Sequence, residues 1–412
     1  MQQKRRRDRL KIAALTASIV TAMPAIALAQ YEPAPSFHAK EVVPRELLSS
    51  PYYEIADRVT LRDYQYVFSL QTRWGRFEVQ GTELLRLRAK EMAATAQLEK
   101  VSGEETTLEA ASRTALRPLS TVRGLLTDPE ETISNTVKGV RKTAESVEAG
   151  IEATDPNRER PLAAISGGAQ ARRNLAYDLG VDPYTSFPPL DDQLTRLATA
   201  SALGQVSVQA GSMFIPGAVG LPLSVGSASE TLRQNLRDKT AGELERDGRQ
   251  SLTAMGVPEA TQDAFYRNPS LTPTDKEVVV EALRNMKGPE GSADLIAQAA
   301  GARSPQWGYI YRQQAILMAS YSAKVAPIRR FAELGSWPAM ETSRGTIAMF
   351  PADYLFWSRP IEQNIEAANA NRPEGPAELG LIGQTSRRAA AELSSLGWEV
   401  IPDIGPRLGL KP

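Results

Sequence analysis

The chain has 412 residues, of which 48 are basic, 48 are acidic, one is histidine and none is cysteine. The lack of cysteine excludes disulfides, thiolate nucleophiles, cysteine-based metal sites and a lipoprotein anchor. One histidine is too few for a conventional zinc or iron site, so we expect no metal and no cofactor.

Residues 1–29 have the composition of a cleavable signal peptide. Six basic residues precede the apolar run Ile12–Met23, and Ala27-Leu28-Ala29 is an A-x-A cleavage site. The apolar run is about a dozen residues long, short of the roughly 20 needed to cross a bilayer as a helix. We therefore expect cleavage after this site, a mature chain beginning near Gln30, and a periplasmic or secreted protein. Arg6-Arg7 partly resembles a twin-arginine signal, and the choice between that route and the general secretory route stays open.

The mature chain is predicted to be mildly acidic. The signal peptide carries six of the basic residues and one of the acidic residues, so 42 basic and 47 acidic residues remain after its removal. Nonspecific nucleic-acid binding depends on Lys and Arg side chains that neutralise phosphates. The charge balance therefore predicts that nucleic acid is not a partner.

The first part of the mature chain favours strands over helices. Residues 30–51 contain four prolines and few periodic apolar positions, which predicts an extended leader rather than a packed element. Residues 52–165 are predicted to contain a small antiparallel meander at 57–80, followed by helices. The first of these helices is expected to be capped by Thr82 and to end near Val101.

Residues 166–334 are predicted to form a helical domain. The proline-rich segment Asp182–Pro189 interrupts it, because a proline disfavours helical geometry in the residue before it. One helix is expected over Glu230–Met255, and Thr274–Glu277 has the pattern of a capping box. Ser304-Pro305 then begins a long helix with an aromatic and methionine stripe, which is typical of a core helix.

An unusual stretch, residues 197–229, lies within this domain. It has 33 residues without a formal charge, enough to span a bilayer. Its prolines, glycines and serines lower both its helix propensity and its hydrophobicity. Three interpretations stay open: a buried, glycine-rich helical hairpin or loop, reversible membrane contact, and a true membrane span.

Residues 335–412 are predicted to form a small α+β region. Pro338–Phe350 has the pattern of a β-hairpin, and Leu379–Ile401 that of a strand-helix-strand unit with its helix capped at Thr385 or Ser386. We therefore predict a fold that is predominantly α with small antiparallel β elements (α+β), in which a helical bundle core is flanked by short β-hairpin regions.

Few residues are candidates for catalysis. His38 is the one histidine available to a Ser-His-Asp triad, and it lies in the leader with no nucleophile motif around it. Carboxylate chemistry stays open, because Asp182, Asp191 and Asp192 lie near the proline-rich break and Asp353 precedes an aromatic run where a glycan could stack. The competing interpretation gives these acids structural roles in turns and helix starts, so the catalytic residues stay unknown.

A resemblance adds to the expected location. The chain resembles exported bacterial proteins without an assigned activity in three segments, Val42–Leu48, Ser50–Tyr53 and Asp182–Ser186. The similarity extends to Gly397-Trp398. None of these segments is a catalytic motif. The resemblance therefore implies an envelope location and nothing more. It assigns no functional residue, and we expect no match to a characterised family.

Three functional hypotheses follow. The first is a non-enzymatic exported cell-envelope protein with a structural or protein-interaction role and an envelope protein as its partner. The second is a peripheral lipid- or membrane-associated protein that uses residues 197–229. The third is a carboxylate-dependent hydrolase acting on an envelope glycan, which requires two carboxylates about 5 to 10 Å apart in an accessible cleft.

Overall fold

The computed structural model describes residues 30–113, 167–202, 228–334 and 337–410. The helices in these ranges are α1 (Ala39–Val42), α2 (Arg45–Leu48), α3 (Thr82–Arg113), α4 (Gly168–Leu179), α5 (Pro188–Ala202), α6 (Ala228–Asp238), α7 (Ala241–Ala254), α8 (Glu259–Arg267), α9 (Pro273–Asn285), α10 (Ser292–Ala300), α11 (Pro305–Lys324), α12 (Arg359–Asn371) and α13 (Arg387–Ser395). Helices make up about 54% and strands about 19% of the structure, which confirms an α+β fold.

The strands form two main sheets and one short pair. They are β1 (Phe37–His38), β2 (Tyr53–Ile55), β3 (Arg58–Arg62), β4 (Gln65–Thr72), β5 (Gly75–Gln80), β6 (Ile328–Leu334), β7 (Trp337–Thr342), β8 (Gly345–Phe350), β9 (Tyr354–Leu355), β10 (Ala377–Leu381), β11 (Gln384–Thr385) and β12 (Glu399–Ile401). The first sheet contains β1 to β5, the second runs in the order β12-β10-β8-β7-β6, and β9 pairs with β11.

The first sheet confirms the meander predicted at 57–80. Its central strand, β4, pairs antiparallel with β2 and β3 along one edge and with β5 along the other. A two-residue turn joins β3 to β4, and both of its residues, Asp63 and Tyr64, have positive φ values of 51° and 63°. Such a turn matches the right-handed twist of the strands that it connects.

The leader is packed, contrary to the prediction of an extended segment outside the core. Phe37 pairs with Val59, which adds β1 to the first sheet. Ala39 of α1, Val43 just after that helix and Leu47 of α2 are buried in the core of that sheet. The prolines of the leader therefore separate short elements without preventing their burial.

Capping residues divide the helical part differently from the prediction. The helix expected over Glu230–Met255 is two helices, because Thr240 forms a capping box with Glu243 and starts α7. The capping box of α9 uses Thr272 and Asp275, two residues before the predicted one. Pro273 follows Thr272 at the first helical position, where its fixed φ suits a helix start and its missing N–H has no consequence.

The second sheet is mixed rather than purely antiparallel. Strands β6, β7 and β8 form an antiparallel meander, which includes the predicted hairpin, whereas β8, β10 and β12 are parallel. Parallel neighbours need a crossover connection. The crossover between β10 and β12 is α13, as predicted, and that between β8 and β10 is α12, which the sequence analysis missed.

The largest core cluster is shared by helices and sheet. It joins apolar residues of α7 to α11 with Phe331, Met340, Ile347 and Met349 of the second sheet. Its central element is α11, whose segment Tyr309–Tyr321 is buried except for Tyr311. The core is therefore built from helices and strands together. These contacts do not confirm the predicted helical bundle core.

Candidate functional site: a buried arginine–carboxylate cluster

The centre of the candidate site is the guanidinium group of Arg312, on α11. Its side chain is 2% exposed, and its Nη1 lies 3.4 Å from Asp275 Oδ1 and 3.7 Å from Asp182 Oδ2. Three charged groups are thus removed from water together. A buried ion pair is strongly destabilised when one partner is lost, so each member of this cluster depends on the others.

Asp182 is held by the loop between α4 and α5. Its Oδ1 accepts hydrogen bonds from the Tyr184 N–H at 2.8 Å and from the Thr274 hydroxyl at 2.6 Å. Burial raises the pKa of Asp182, while Arg312 and these two donors act in the opposite direction. The proline-rich break therefore positions an acid, as its sequence suggested, and the acid joins this loop to α9 and α11.

Asp275 has two roles at the start of α9. Its Oδ2 accepts hydrogen bonds from the main-chain N–H and the hydroxyl of Thr272, at 2.9 Å and 2.8 Å. Its Oδ1 faces Arg312. The capping box thus fixes one carboxylate oxygen and leaves the other for the arginine.

Glu91 places a third carboxylate nearby, on α3. It is fully buried, it pairs with Arg88, and it accepts a hydrogen bond from the Thr185 hydroxyl. Arg88 also donates to the Ser186 hydroxyl at 2.7 Å. These contacts attach α3 to the same loop that carries Asp182.

A cavity of about 30 Å³ lies between these groups, lined by Leu84, Leu87, Arg88, Glu91, Asp182, Tyr184, Thr185, Ser186, Thr272, Asp275, Pro305, Gln306, Tyr309 and Arg312. A single water needs about 10–15 Å³, whereas small-molecule sites usually enclose about 300–1,000 Å³. Nε and Nη2 of Arg312 have no hydrogen-bond partner among the described residues. The cavity therefore offers buried donors to water-sized groups and has no room for a sugar ring.

Asp353 lies at a second junction, between the two main sheets. Its Oδ2 accepts hydrogen bonds from the Tyr66 N–H at 2.9 Å and from the Thr82 N–H at 3.1 Å. It thereby caps α3 from a distant part of the chain, so Thr82 is the first residue of α3 and not its cap. Burial raises the pKa of Asp353 from 3.8 to about 6, although these donors act in the opposite direction.

The backbone around Asp353 leaves no room for a side chain at Gly383, which lies between β10 and β11. A Cβ atom on Gly383 would lie 1.9 Å from the Asp353 carbonyl oxygen. That oxygen accepts a hydrogen bond from the Gln384 N–H at 2.9 Å. The main chain of Asp353 is therefore packed directly against that of Gly383, which fixes the backbone that carries the carboxylate.

The remaining candidate residues do not join either cluster. Asp191 lies in the first turn of α5 and pairs with Arg172 at 2.6 Å, while Asp192 is exposed on the same helix. His38 is exposed and its Nδ1 lies 2.8 Å from Asp57 Oδ2. Asp191 therefore has the helix-start role that the alternative interpretation gave it.

Several predictions concern residues outside the described ranges. Residues 1–29 and 203–227 are among these, so the predictions for the signal peptide and for most of the apolar stretch 197–229 are untested. At the two ends of that stretch, residues 197–202 are the last of α5 and residues 228–229 are the first of α6. In the described ranges, no helix is both long and apolar enough to cross a membrane. The same ranges contain no group of three or more His, Cys, Asp or Glu side chains placed to hold a metal ion.

Sequence reasoning identified Asp182 and Asp353 but missed Arg312, Asp275 and Glu91. The sequence did indicate that Arg312 is buried, because the neighbouring turns of its helix are apolar. No sequence signal linked Glu91 to the loop at Thr185, which is 94 residues away. That contact depends on how α3 packs against α5.

Comparisons with known proteins give no further guidance. No family model, no curated protein and no solved structure matches this chain. The prediction that no characterised family matches is confirmed.

Proposed function

We propose that this chain is a non-enzymatic exported protein of the bacterial cell envelope with a structural or protein-interaction role. The sequence of residues 1–29 supports export to the periplasm or beyond. The observation that carries the proposal is the engagement of the buried candidate acids, Asp182 and Asp353, in hydrogen bonds that join distant segments of the chain.

Among the described residues, the surroundings of these two acids are mainly hydrogen-bond donors of the chain itself. A general acid or base must lie within hydrogen-bond reach of the proton that it transfers. Asp182 borders a cavity of about 30 Å³, and the oxygens of Asp353 accept hydrogen bonds from main-chain donors of α3 and β4. Their contacts favour a scaffold in which carboxylates fix helices and sheets relative to one another.

The export part of the proposal is tested by expressing the full-length chain and fractionating the cells. We expect the chain in the soluble periplasmic or secreted fraction, with a mass that corresponds to a start near Gln30. An unprocessed cytoplasmic chain would contradict export. A processed chain that resists a carbonate wash of the membranes would favour the lipid-associated alternative.

The non-enzymatic part is tested with purified mature protein on envelope glycan, peptide and ester substrates. We expect no turnover that depends on Asp182 or Asp353. The informative variants are Asp182→Asn and Asp353→Asn, with Asp192→Asn as a control at an exposed acid. Turnover that disappears in a folded Asp353→Asn or Asp182→Asn variant, and persists in the control, would establish the hydrolase alternative.

The interaction role is tested by photo-crosslinking in intact cells. Photoreactive residues are placed at several exposed helix positions, among them Asp192 on α5, and at least one is expected to capture a discrete partner protein. The same residue at Leu194, which is buried on that helix, provides a control. Equal crosslinking at both positions, or none at any exposed helix position, would contradict a protein-interaction role.

A further inference from the structure

The guanidinium group of Arg312 has an edge that no described residue uses. Its Nη1 faces Asp275 and Asp182, whereas Nε and Nη2 are buried and have no hydrogen-bond partner among the described residues. A buried donor without an acceptor is destabilising, and native proteins rarely leave one unsatisfied. The N–H groups of Nε and Nη2 lie side by side in the guanidinium plane, an arrangement that suits a planar acceptor group. This edge therefore has the geometry of a ligand-binding fork.

Acceptors line the same cavity as these donors. Asp182 and Glu91 border the cavity of about 30 Å³ together with Arg312. Oδ1 of Asp182 accepts two hydrogen bonds, and its Oδ2 lies 3.7 Å from Nη1 of Arg312. A carboxylate has about four acceptor positions, so Asp182 retains acceptor capacity. A group held in this cavity can thus accept hydrogen bonds from the arginine and donate one to the acid.

The cavity admits the tip of a ligand and leaves its body at the surface. Ser186 and Pro305 in its lining are exposed and Gln306 is half-buried, whereas Arg312 is buried. Pro305 and Arg312 are two helical turns apart on α11, which corresponds to about 10 Å along the helix axis. A volume of about 30 Å³ holds two or three water-sized groups, since each needs about 10–15 Å³. That is the size of a planar head group of about three non-hydrogen atoms.

Charge distinguishes between the planar groups of this size. The lining contains three carboxyl groups, those of Asp182, Asp275 and Glu91, and two guanidinium groups, those of Arg88 and Arg312. A carboxylate would satisfy the donors of Arg312, but it would add a further acid where acids already outnumber bases, and like charges repel strongly in a buried site. A cation would leave the donors of Arg312 unsatisfied. A neutral amide supplies both an acceptor oxygen and N–H donors.

We propose that this cavity binds a primary amide, which accepts hydrogen bonds from Nε and Nη2 of Arg312 through its oxygen and donates to Asp182 through its nitrogen. Tyr309 supports the face of the guanidinium group, because the centroid of its ring lies 5.4 Å from Cζ of Arg312. The side chains of Asn and Gln carry a primary amide, and so do small soluble molecules. The site goes beyond the proposed function and does not depend on export.

The test observes the Nε–H group of Arg312 directly, by NMR of the purified mature chain labelled with nitrogen-15 at its arginines. Acetamide is the probe, and its titration is expected to shift the Arg312 signal in a saturable way, because the Nε–H group gains a new acceptor. Since acetamide is very small, half-saturation is expected in the millimolar range. Arg312→Lys removes this signal and thereby assigns it.

Variants at the mouth of the cavity locate the bound probe. Gln306→Trp keeps the guanidinium group and is expected to raise the half-saturation concentration at least about tenfold, because the indole ring fills the entrance. Gln363→Trp places the same side chain at an exposed position of α12 and should bind acetamide like wild type. If Gln306→Trp does not fold, Ser186→Trp at the exposed end of the lining gives the same comparison.

Acetate, which has the same size and shape as acetamide, tests the role of charge. At constant ionic strength, half-saturation by acetate should need a concentration at least about tenfold higher, because acids predominate in the lining. Equal or tighter binding of acetate would overturn the assignment to a neutral ligand. An Arg312 signal that acetamide does not shift, or shifts equally in Gln306→Trp and wild type, would overturn the site and leave water as the acceptor for these donors.

A peptide arm identifies the source of the amide. Acetyl-Gly-Asn-Gly-N-methylamide is compared with acetamide and with the peptide that has Ala in place of Asn. Half-saturation by the Asn peptide at a concentration at least about tenfold below that of acetamide, with no saturable shift by the Ala peptide, supports a protein side chain as the ligand. Binding of the Asn peptide that is no tighter than that of acetamide supports a small soluble amide.

Discussion

Asp182 and Asp353 are both buried acids with a raised pKa, yet different partners stabilise them. Asp182 faces the guanidinium group of Arg312 and two neutral donors, whereas Asp353 is held by main-chain N–H groups and the Thr82 hydroxyl. A cationic partner makes the first site an ion cluster whose members depend on one another. Dipolar partners leave the second acid able to titrate near pH 6.

Arg312→Ala should have the largest effect on stability. Without the guanidinium group, Asp182 and Asp275 stay buried without a cation, and breaking such a pair typically costs about 3–5 kcal/mol. Urea unfolding at neutral pH measures the loss. Arg58→Ala, at an exposed arginine of β3, should change the free energy of unfolding by less than about 0.5 kcal/mol. Similar losses in the free energy of unfolding of the two variants would show that Arg312 does not stabilise the cluster.

The Asp353 site should show a pH dependence that Asp353→Asn removes. Because the pKa of Asp353 is higher in the folded chain, folding favours its protonated form, and this contribution is lost as pH rises from about 4 to about 6. The difference between the two pKa values corresponds to roughly 3 kcal/mol.

The measurement is the free energy of unfolding of wild type and Asp353→Asn across this pH range. The value for wild type minus that for the variant should fall as pH rises, and should become level above about pH 7. A constant difference throughout would show that Asp353 keeps an ordinary pKa in the folded chain.

Two capping boxes allow a finer comparison of a buried and a half-buried carboxylate. Thr240→Ala removes the cap of α7, whose acid Glu243 is half-buried, and should cost about 1 kcal/mol. Thr272→Ala should cost more, about 2 kcal/mol, because Asp275 is buried and also faces Arg312. Thermal unfolding of both variants gives the order. Equal losses would mean that the cap of α9 is independent of the arginine cluster.

The smallest change in the free energy of unfolding is expected from a substitution in the surface pair of His38 and Asp57. Their side chains are 61% and 71% exposed, and exposed ion pairs contribute little because water screens them. His38→Ala should change the free energy of unfolding by no more than about 0.5 kcal/mol. A loss comparable to that of Thr240→Ala would reveal a contact of the leader that depends on this ring.

Local patterns in the sequence were reliable where neighbouring residues decide the structure. The meander at 57–80, the break after Asp182 and the helix start at Ser304 all follow from alternation, proline geometry and capping. Helix α12 carried a signal of the same kind, since its buried residues Ile361, Ile365 and Ala368 recur at helical spacing. It was missed because so few of its residues are apolar.

The candidate sites were less predictable because they join residues that are far apart in sequence. Asp353 and Thr82 are 271 residues apart, and no pattern near either residue specifies the other. Arg312 and Asp182 meet only after α11 has packed beside the loop that carries the acid. Sequence reasoning could therefore identify a buried acid, whereas its partners are determined by tertiary packing.

The leader and the start of β4 also determine when the chain can finish folding. Tyr31 contacts a residue 331 positions later, and Tyr66 is bound by an acid 287 positions later. Contacts of such separation form late, because closing a long loop costs entropy before the contact is made. During synthesis, the first sheet therefore waits for the last quarter of the chain before it gains its final hydrogen bonds, so a truncated chain would expose its earliest strands longest.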